Sequence, residues 1–184
     1  MFGRRIDQEE RDKCLSYIQE EMKMIAFREK EQSLFDEVFI QYYRQDYEKK
    51  GNMTRDQLTN ASKRVVEAAK EILRRRQSML TVPDIASSMF YAYQRRFEDY
   101  LDLKEKQADS MTSFIPVSGT SDRLQESVTD EKRSRDVALK EEKKLWRKLK
   151  LGDSEVMKMW NDAVAAVKAE NWQPKKDQGN LINC

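Results

Sequence analysis

Apolar positions near the start of the chain recur at the spacing of a helix face. Cys14, Ile18, Met22 and Ile25 step by four, four and three, which stacks them on one side of a helix beginning near Ile6. A polar stretch, Arg28 to Ser33, interrupts the stripe. It returns broader as Leu34, Phe35, Val38, Phe39 and Tyr42, widened by Ile40, Tyr43 and Tyr47. The change of phase predicts a bend or two helices, and Gly51-Asn52 marks the end of the element.

Thr54 followed by Gln57 is a capping-box pair, in which hydroxyl and amide satisfy each other's free backbone donors. The helix it starts carries Leu58, Ala61, Val65, Ala68 or Ala69, and Ile72, with Lys63, Arg64, Glu67, Lys70 and Glu71 expected toward solvent. Val82 precedes Pro83 and is pushed away from helical geometry, so the chain turns near Ser78 to Val82. Thr81 and Asp84 offer a further cap, and Ile85, Met89, Tyr93, Phe97 and Tyr100 form the stripe of a third helix.

From Ser110 to Ser121 the composition turns to Ser, Thr, Pro and Gly around an apolar island, Phe114 to Val117, the signature of a linker or long loop. A polar helix then spans about 122 to 151 with sparse apolar residues: Leu124, Val128, Leu139, Trp146 and Leu149. Its first half has little to bury. Gly152 stops it, Asp153 caps the next helix, and Val156, Trp160, Ala163, Val164 and Val167 make a cleaner stripe up to Pro174. No fixed-period repeat and no long apolar heptad is present.

These patterns predict an all-α protein. An N-terminal unit of about three helices covers 1–109, a linker 110–121, and an extended helix or helical hairpin 122–172, with a tail over 173–184. The expected shape is elongated, with the second part as an arm.

Composition supports long, exposed helices: charged residues make up 37% and apolar residues 39%, with only 5 Gly and 3 Pro in 184 residues. Seven Phe, seven Tyr, three Trp and nine Met argue against a disordered chain. Net charge is +2, which excludes a globally basic binder of nucleic acid or anionic lipid. The one marked local excess is +4, over residues 127–152.

Cys14 and Cys184 are too few for a disulfide framework or a four-cysteine zinc site, and a reducing compartment is the simpler expectation. The first ten residues turn acidic where a signal peptide needs an apolar run, and no apolar run is long enough to span a bilayer. Cytoplasm or nucleus is therefore expected. Cys184 is the last residue, which is not the position of a prenylated cysteine.

The chain has no histidine, the commonest proton-transfer side chain near neutral pH, so Ser-His-Asp and Cys-His chemistry is excluded. Its glycines are isolated, which removes phosphate loops and dinucleotide fingerprints. Asp46 to Asp56 has a glycine at the turn position of a calcium loop, but Lys49 and Lys50 would repel the ion. No catalytic residue, cofactor, metal or small-molecule substrate is expected.

What remains is recognition of macromolecules. Lys143, Lys144, Arg147 and Lys148 surround Leu145, Trp146 and Leu149, a basic amphipathic pattern that fits phosphates, an anionic membrane surface or an acidic groove. An ordinary helix burying Trp146 under a solvated basic face has the same pattern. Arg74, Arg75 and Arg76, with Arg95 and Arg96, are possible phosphate contacts if their helices pack as a hairpin; cations complementing a helix C-terminus explain the first three equally well. Trp160 and Trp172 are expected anchors for a partner, because a hairpin over 122–172 has too thin a core of its own. The leading expectation is a structural or adaptor subunit of a larger assembly that binds protein partners. RNA binding through 143–150 and the arginines is the alternative, and peripheral membrane contact a lesser one.

Overall fold

A computed structural model describes residues 6–48, 53–79, 81–112 and 120–173, and among these every regular element is helical. The apolar island over 114–117, Gly51-Asn52 and the tail from Pro174 to Cys184 lie outside the described residues. The helices are α1 (Gln8–Glu48), α2 (Arg55–Gln77), α3 (Ser87–Thr112), α4 (Thr120–Leu149) and α5 (Asp153–Ala169), with a 3-10 turn, Asp84–Ala86, leading into α3.

The first element does not divide into two helices: α1 is one continuous helix of 41 residues, about 60 Å along its path. Its stripe drifts because its neighbours change. The first half packs against α5 as well as α2, the second against α2, and a helix of 3.6 residues per turn can wrap its apolar face around itself between them.

Cross-helix pairs give the directions. Glu21 meets Arg76 and Glu31 meets Arg64, so α1 and α2 are antiparallel. Arg55 donates to the Met111 carbonyl and Arg76 to Gln94, so α2 and α3 are antiparallel. The Ser127 hydroxyl donates to Asp102 while Glu142 faces Tyr93, so α3 and α4 are too. Gln19 reaches the Met159 carbonyl and Lys30 that of Trp172, which sets α5 parallel to α1.

The hairpin expected over 122–172 does not form. α4 lies along α3, α5 lies along α1, and the two hardly touch each other. The stripes that lacked a core in sequence find one here: Leu145, Leu149, Ala163, Val167 and Trp172 share a single cluster with Cys14, Ile18, Phe27, Ile72, Tyr93 and Phe97. Cys14 is a packing group in this cluster, and burial pushes its thiol up to about 11.

α4 also inverts the expected choice of inward residues. Its buried positions are Ser127, Ser134, Ala138, Glu142, Leu145 and Leu149, at steps of seven, four, four, three and four, while Val128, Val137 and Leu139 are exposed. Small side chains face α3 because α3 presents Tyr93, Arg96 and Tyr100, which fill the gap themselves.

The Thr54 capping box is present: the Gln57 amide N–H donates to the Thr54 hydroxyl at 3.2 Å, and the Thr54 N–H to the Gln57 side chain at 2.7 Å. Two helix ends differ from expectation. Lys150, not Gly152, takes the left-handed position after α4, with φ 53°, and the Leu151 N–H bonds back to the Trp146 carbonyl at 3.0 Å. Gly152 is then the residue before α5, its N–H donating to Glu155, and Asp153 is the first helical residue instead of the cap. Glu71, expected toward solvent, is buried because it accepts from both Arg74 and Arg75.

Candidate functional site

The described residues place the sequence candidates in three different settings. The arginines of the α2 C-terminus are committed within the fold. Arg76 is fully buried: it pairs with Glu21, donates to Gln94 at 3.0 Å and to the Phe90 carbonyl at 2.6 Å, and lies over the Phe90 ring. Burial pushes the Glu21 carboxyl up, while Arg76 and a 2.6 Å hydrogen bond from the Tyr17 hydroxyl pull it back. Arg74 and Arg75 both pair with Glu71. Arg95 pairs with Asp99, and Arg96 turns into the bundle. The two clusters therefore do not converge on a common phosphate.

Trp172 is likewise a core residue, not an exposed anchor. Asn171 adopts φ 48° after α5, and the Trp172 N–H bonds back to the Val167 carbonyl at 3.2 Å, which folds the indole onto the bundle. There it meets Phe27 edge-on and the guanidinium of Arg75, and its indole N–H donates to Glu170. The polar-then-apolar pair Asn171-Trp172 just past the α5 stripe is the sequence signal for this turn. Trp146 is half-buried, and its indole N–H is buried without a hydrogen-bond partner among the described residues.

The basic segment remains on the outside. Lys143, Lys144, Arg147 and Lys148 are exposed, and with Lys140, Leu139 and Asp136 most of them line a shallow open groove of about 420 Å³ along α4. Lys144 pairs with Glu141; Lys143, Arg147 and Lys148 have no ion pair among the described residues. Exposed acids and apolar groups interrupt this face, which is mixed in sign and not continuously basic.

α5 is the most apolar helix and carries two apolar faces. The inner one, Val156, Met159, Ala163 and Val167, packs into the core. The outer one steps by three and four through Met157, Trp160 and Val164. Met157 is 59% exposed, Val164 is 44% exposed and Trp160 is half-buried. Trp160 was a candidate from its residue type, but Met157 was not, because it falls off the stripe that runs into the core.

Among the described residues no group of three or more Cys, Asp or Glu side chains is arranged to hold a metal ion, and no helix is long and apolar enough to cross a membrane. No protein-family model matches the chain, and no curated protein or solved structure matches it.

Proposed function

We propose that this chain is a non-enzymatic structural or adaptor subunit of a larger assembly in the cytoplasm or nucleus, acting without a cofactor. Its partner is a protein that lays an amphipathic helix across the outer face of α5. The observation that carries this reading is the second apolar row of α5: α1 covers one side of the helix, while Met157 and Val164 are exposed and Trp160 between them, partly packed against the core, keeps part of its indole uncovered. Exposed apolar strips of this kind mark recognition sites, and Trp is a frequent anchor in them. The steps of three and four match the ridges of a helix, so a helical occupant fits better than an extended one.

The test is affinity purification with crosslinking from the native cell, using Trp160→Ala and Met157→Glu. The expected result is loss of the same defined partner in both variants, with unchanged helix content and a direct crosslink to α5. A partner set unaffected by both variants overturns the reading. So does a concentration-dependent homodimer that they abolish, since the occupant is then a second copy.

The exposed cations of α4 support a second reading, RNA binding through 143–150. It requires affinity that falls steeply with added salt, through release of counterions from phosphates. Charge reversal at Lys143, Lys144, Arg147 and Lys148 would abolish that affinity and leave the α5 partner untouched. The mixed signs on this face make protein recognition the better fit.

A further inference from the structure

The polar stretch that interrupts the first apolar stripe has a position of its own in the fold. Arg28 and Glu29 of α1 face Tyr100 and Lys104 of α3 and Glu131 and Arg135 of α4, and a groove of about 320 Å³ lies between the three helices. Three cations, Arg28, Lys104 and Arg135, line it against two acids, Glu29 and Glu131. The Arg28 guanidinium lies 5.3 Å from the centroid of the Tyr100 ring, and the Lys104 ammonium 5.4 Å from the same centroid.

These cations are poorly matched by carboxylates. The Arg28 side chain is 17% exposed, its Nε is buried without a hydrogen-bond partner, and the carboxylate of Glu29 stands 3.7 Å away, beyond hydrogen-bond range. Lys104 donates to the neutral Gln107 at 2.9 Å and has no ion pair among the described residues. Arg135, half-buried, has none either. One turn before Tyr100, Arg96 is 5% exposed, its Nε is also without a partner, and no carboxylate pairs with it among the described residues.

Besides Glu29, the acids nearby are Glu131, Asp36 and, deeper, Glu142. They act on Lys104 and Arg96 from beyond ion-pair distance. Burial holds Lys104 and Arg96 below their usual ranges, and in both the Arg28 charge adds to the effect. Buried cations that repel one another and lack close counter-ions are costly unless an anion joins them.

We infer that this groove is a binding site for the phosphate group of a small ligand, held by Arg28 and Lys104 from facing walls with Arg135 at the third side. A phosphate is favoured over a carboxylate because the donors come from three helices. Three tetrahedrally disposed oxygens can meet all of them, whereas a planar carboxylate meets two. The volume lies at the small end of ligand sites, enough for a phosphate with a short organic group over Tyr100. No glycine loop is involved, which is why a search for phosphate loops in the sequence does not find it.

Calorimetry with inorganic phosphate and with phenyl phosphate, in chloride at fixed ionic strength, tests the site on the full chain. Saturable one-to-one binding of either is expected, with Arg28→Gln and Lys104→Gln each weakening it about tenfold or more. Binding of phenyl phosphate alone identifies an ester as the ligand; binding of both extends the site to the free ion. Lys143→Gln with Arg147→Gln on the outer face of α4 should leave affinity unchanged. Absence of binding by both probes at millimolar concentration overturns the inference, as does binding that the α4 variant removes and the groove variants do not. Lys104 sits at the edge of the core, so its variant keeps the test valid if Arg28→Gln fails to fold.

Discussion

The Arg75 guanidinium stacks 3.7 Å from the centroid of the Trp172 indole, and Phe27 meets the same ring edge-on at 5.7 Å. Trp172 thereby ties the end of α5 to α1 and α2 at once. Trp172→Ala should cost about 3–5 kcal/mol, the usual range for removing a large buried aromatic side chain. Hydrogen exchange over 153–169 should accelerate more than over α2 or α3, because α5 packs mainly on α1 and is tied to α2 by this contact. Arg75→Lys should lose less than about 1 kcal/mol, since an ammonium keeps the charge but not the planar stacking. Urea denaturation of the three proteins measures both losses.

Glu21 and Arg76 form a pair with both side chains out of solvent. Breaking such a pair from one side leaves a buried charge without compensation, so Arg76→Met and Glu21→Met should each destabilise by about 3–5 kcal/mol. The Arg76→Met, Glu21→Met double variant should recover most of that loss, because burying apolar side chains of similar volume avoids desolvating two charges. Recovery will be incomplete: Tyr17, Gln94 and the Phe90 carbonyl all lose hydrogen-bond partners. A double-mutant cycle in urea measures the coupling, and additive losses would show that the two residues act separately.

The all-helical fold was readable because its signals are local. Thr54 and Gln57 form their capping box from residues three apart, and Leu58, Val65 and Ile72 share one helix face by their spacing alone. The arrangement of α4 was hidden because it depends on what lies opposite. Ser127, Ser134 and Ala138 become core only where Tyr93, Arg96 and Tyr100 of α3 already fill the space, and no periodicity within α4 announces that. The candidate residues divide in the same way. Lys143, Arg147 and Lys148 keep the exposed positions that their charge suggests. Arg76 is drawn inside by Glu21 on another helix, which no local pattern shows, while Arg96 turns in over the ring of Tyr93 one turn earlier on α3; Arg28 reads as a break between stripes although it lines a groove.

Lys150 adopts a left-handed conformation with φ 53°, for which a Cβ is unfavourable. The turn needs this geometry to bring the Leu151 N–H back to Trp146 and start α5 two residues later. Glycine carries no Cβ penalty there, though it loosens the unfolded chain. Lys150→Gly should therefore stabilise the protein by roughly 1 kcal/mol, read as a higher urea midpoint with an unchanged slope. A lower midpoint would mean that the Lys150 side chain contributes more than its backbone costs.

Glu142 is buried between α3 and α4, where burial pushes its carboxyl up to about 7. The Tyr93 phenol and Arg96 pull it down, Glu21 pushes it up, and Lys143 pulls it down. A carboxyl whose folded value is raised above its unfolded value of 4.5 holds its proton more tightly in the native state. The contribution to stability is then fully present below pH 4.5 and is lost as pH rises through about 7. Glu142→Gln mimics the protonated group and removes that dependence. The variant and the natural protein should have similar urea midpoints at pH 4. At pH 8 the variant should be the more stable, by on the order of 3 kcal/mol at most. Equal loss of stability by Glu142→Gln at both pH values would instead assign the residue a structural hydrogen bond that does not depend on its charge. Lower stability of the variant at pH 8 alone would show that ionised Glu142 is a favourable partner for Arg96.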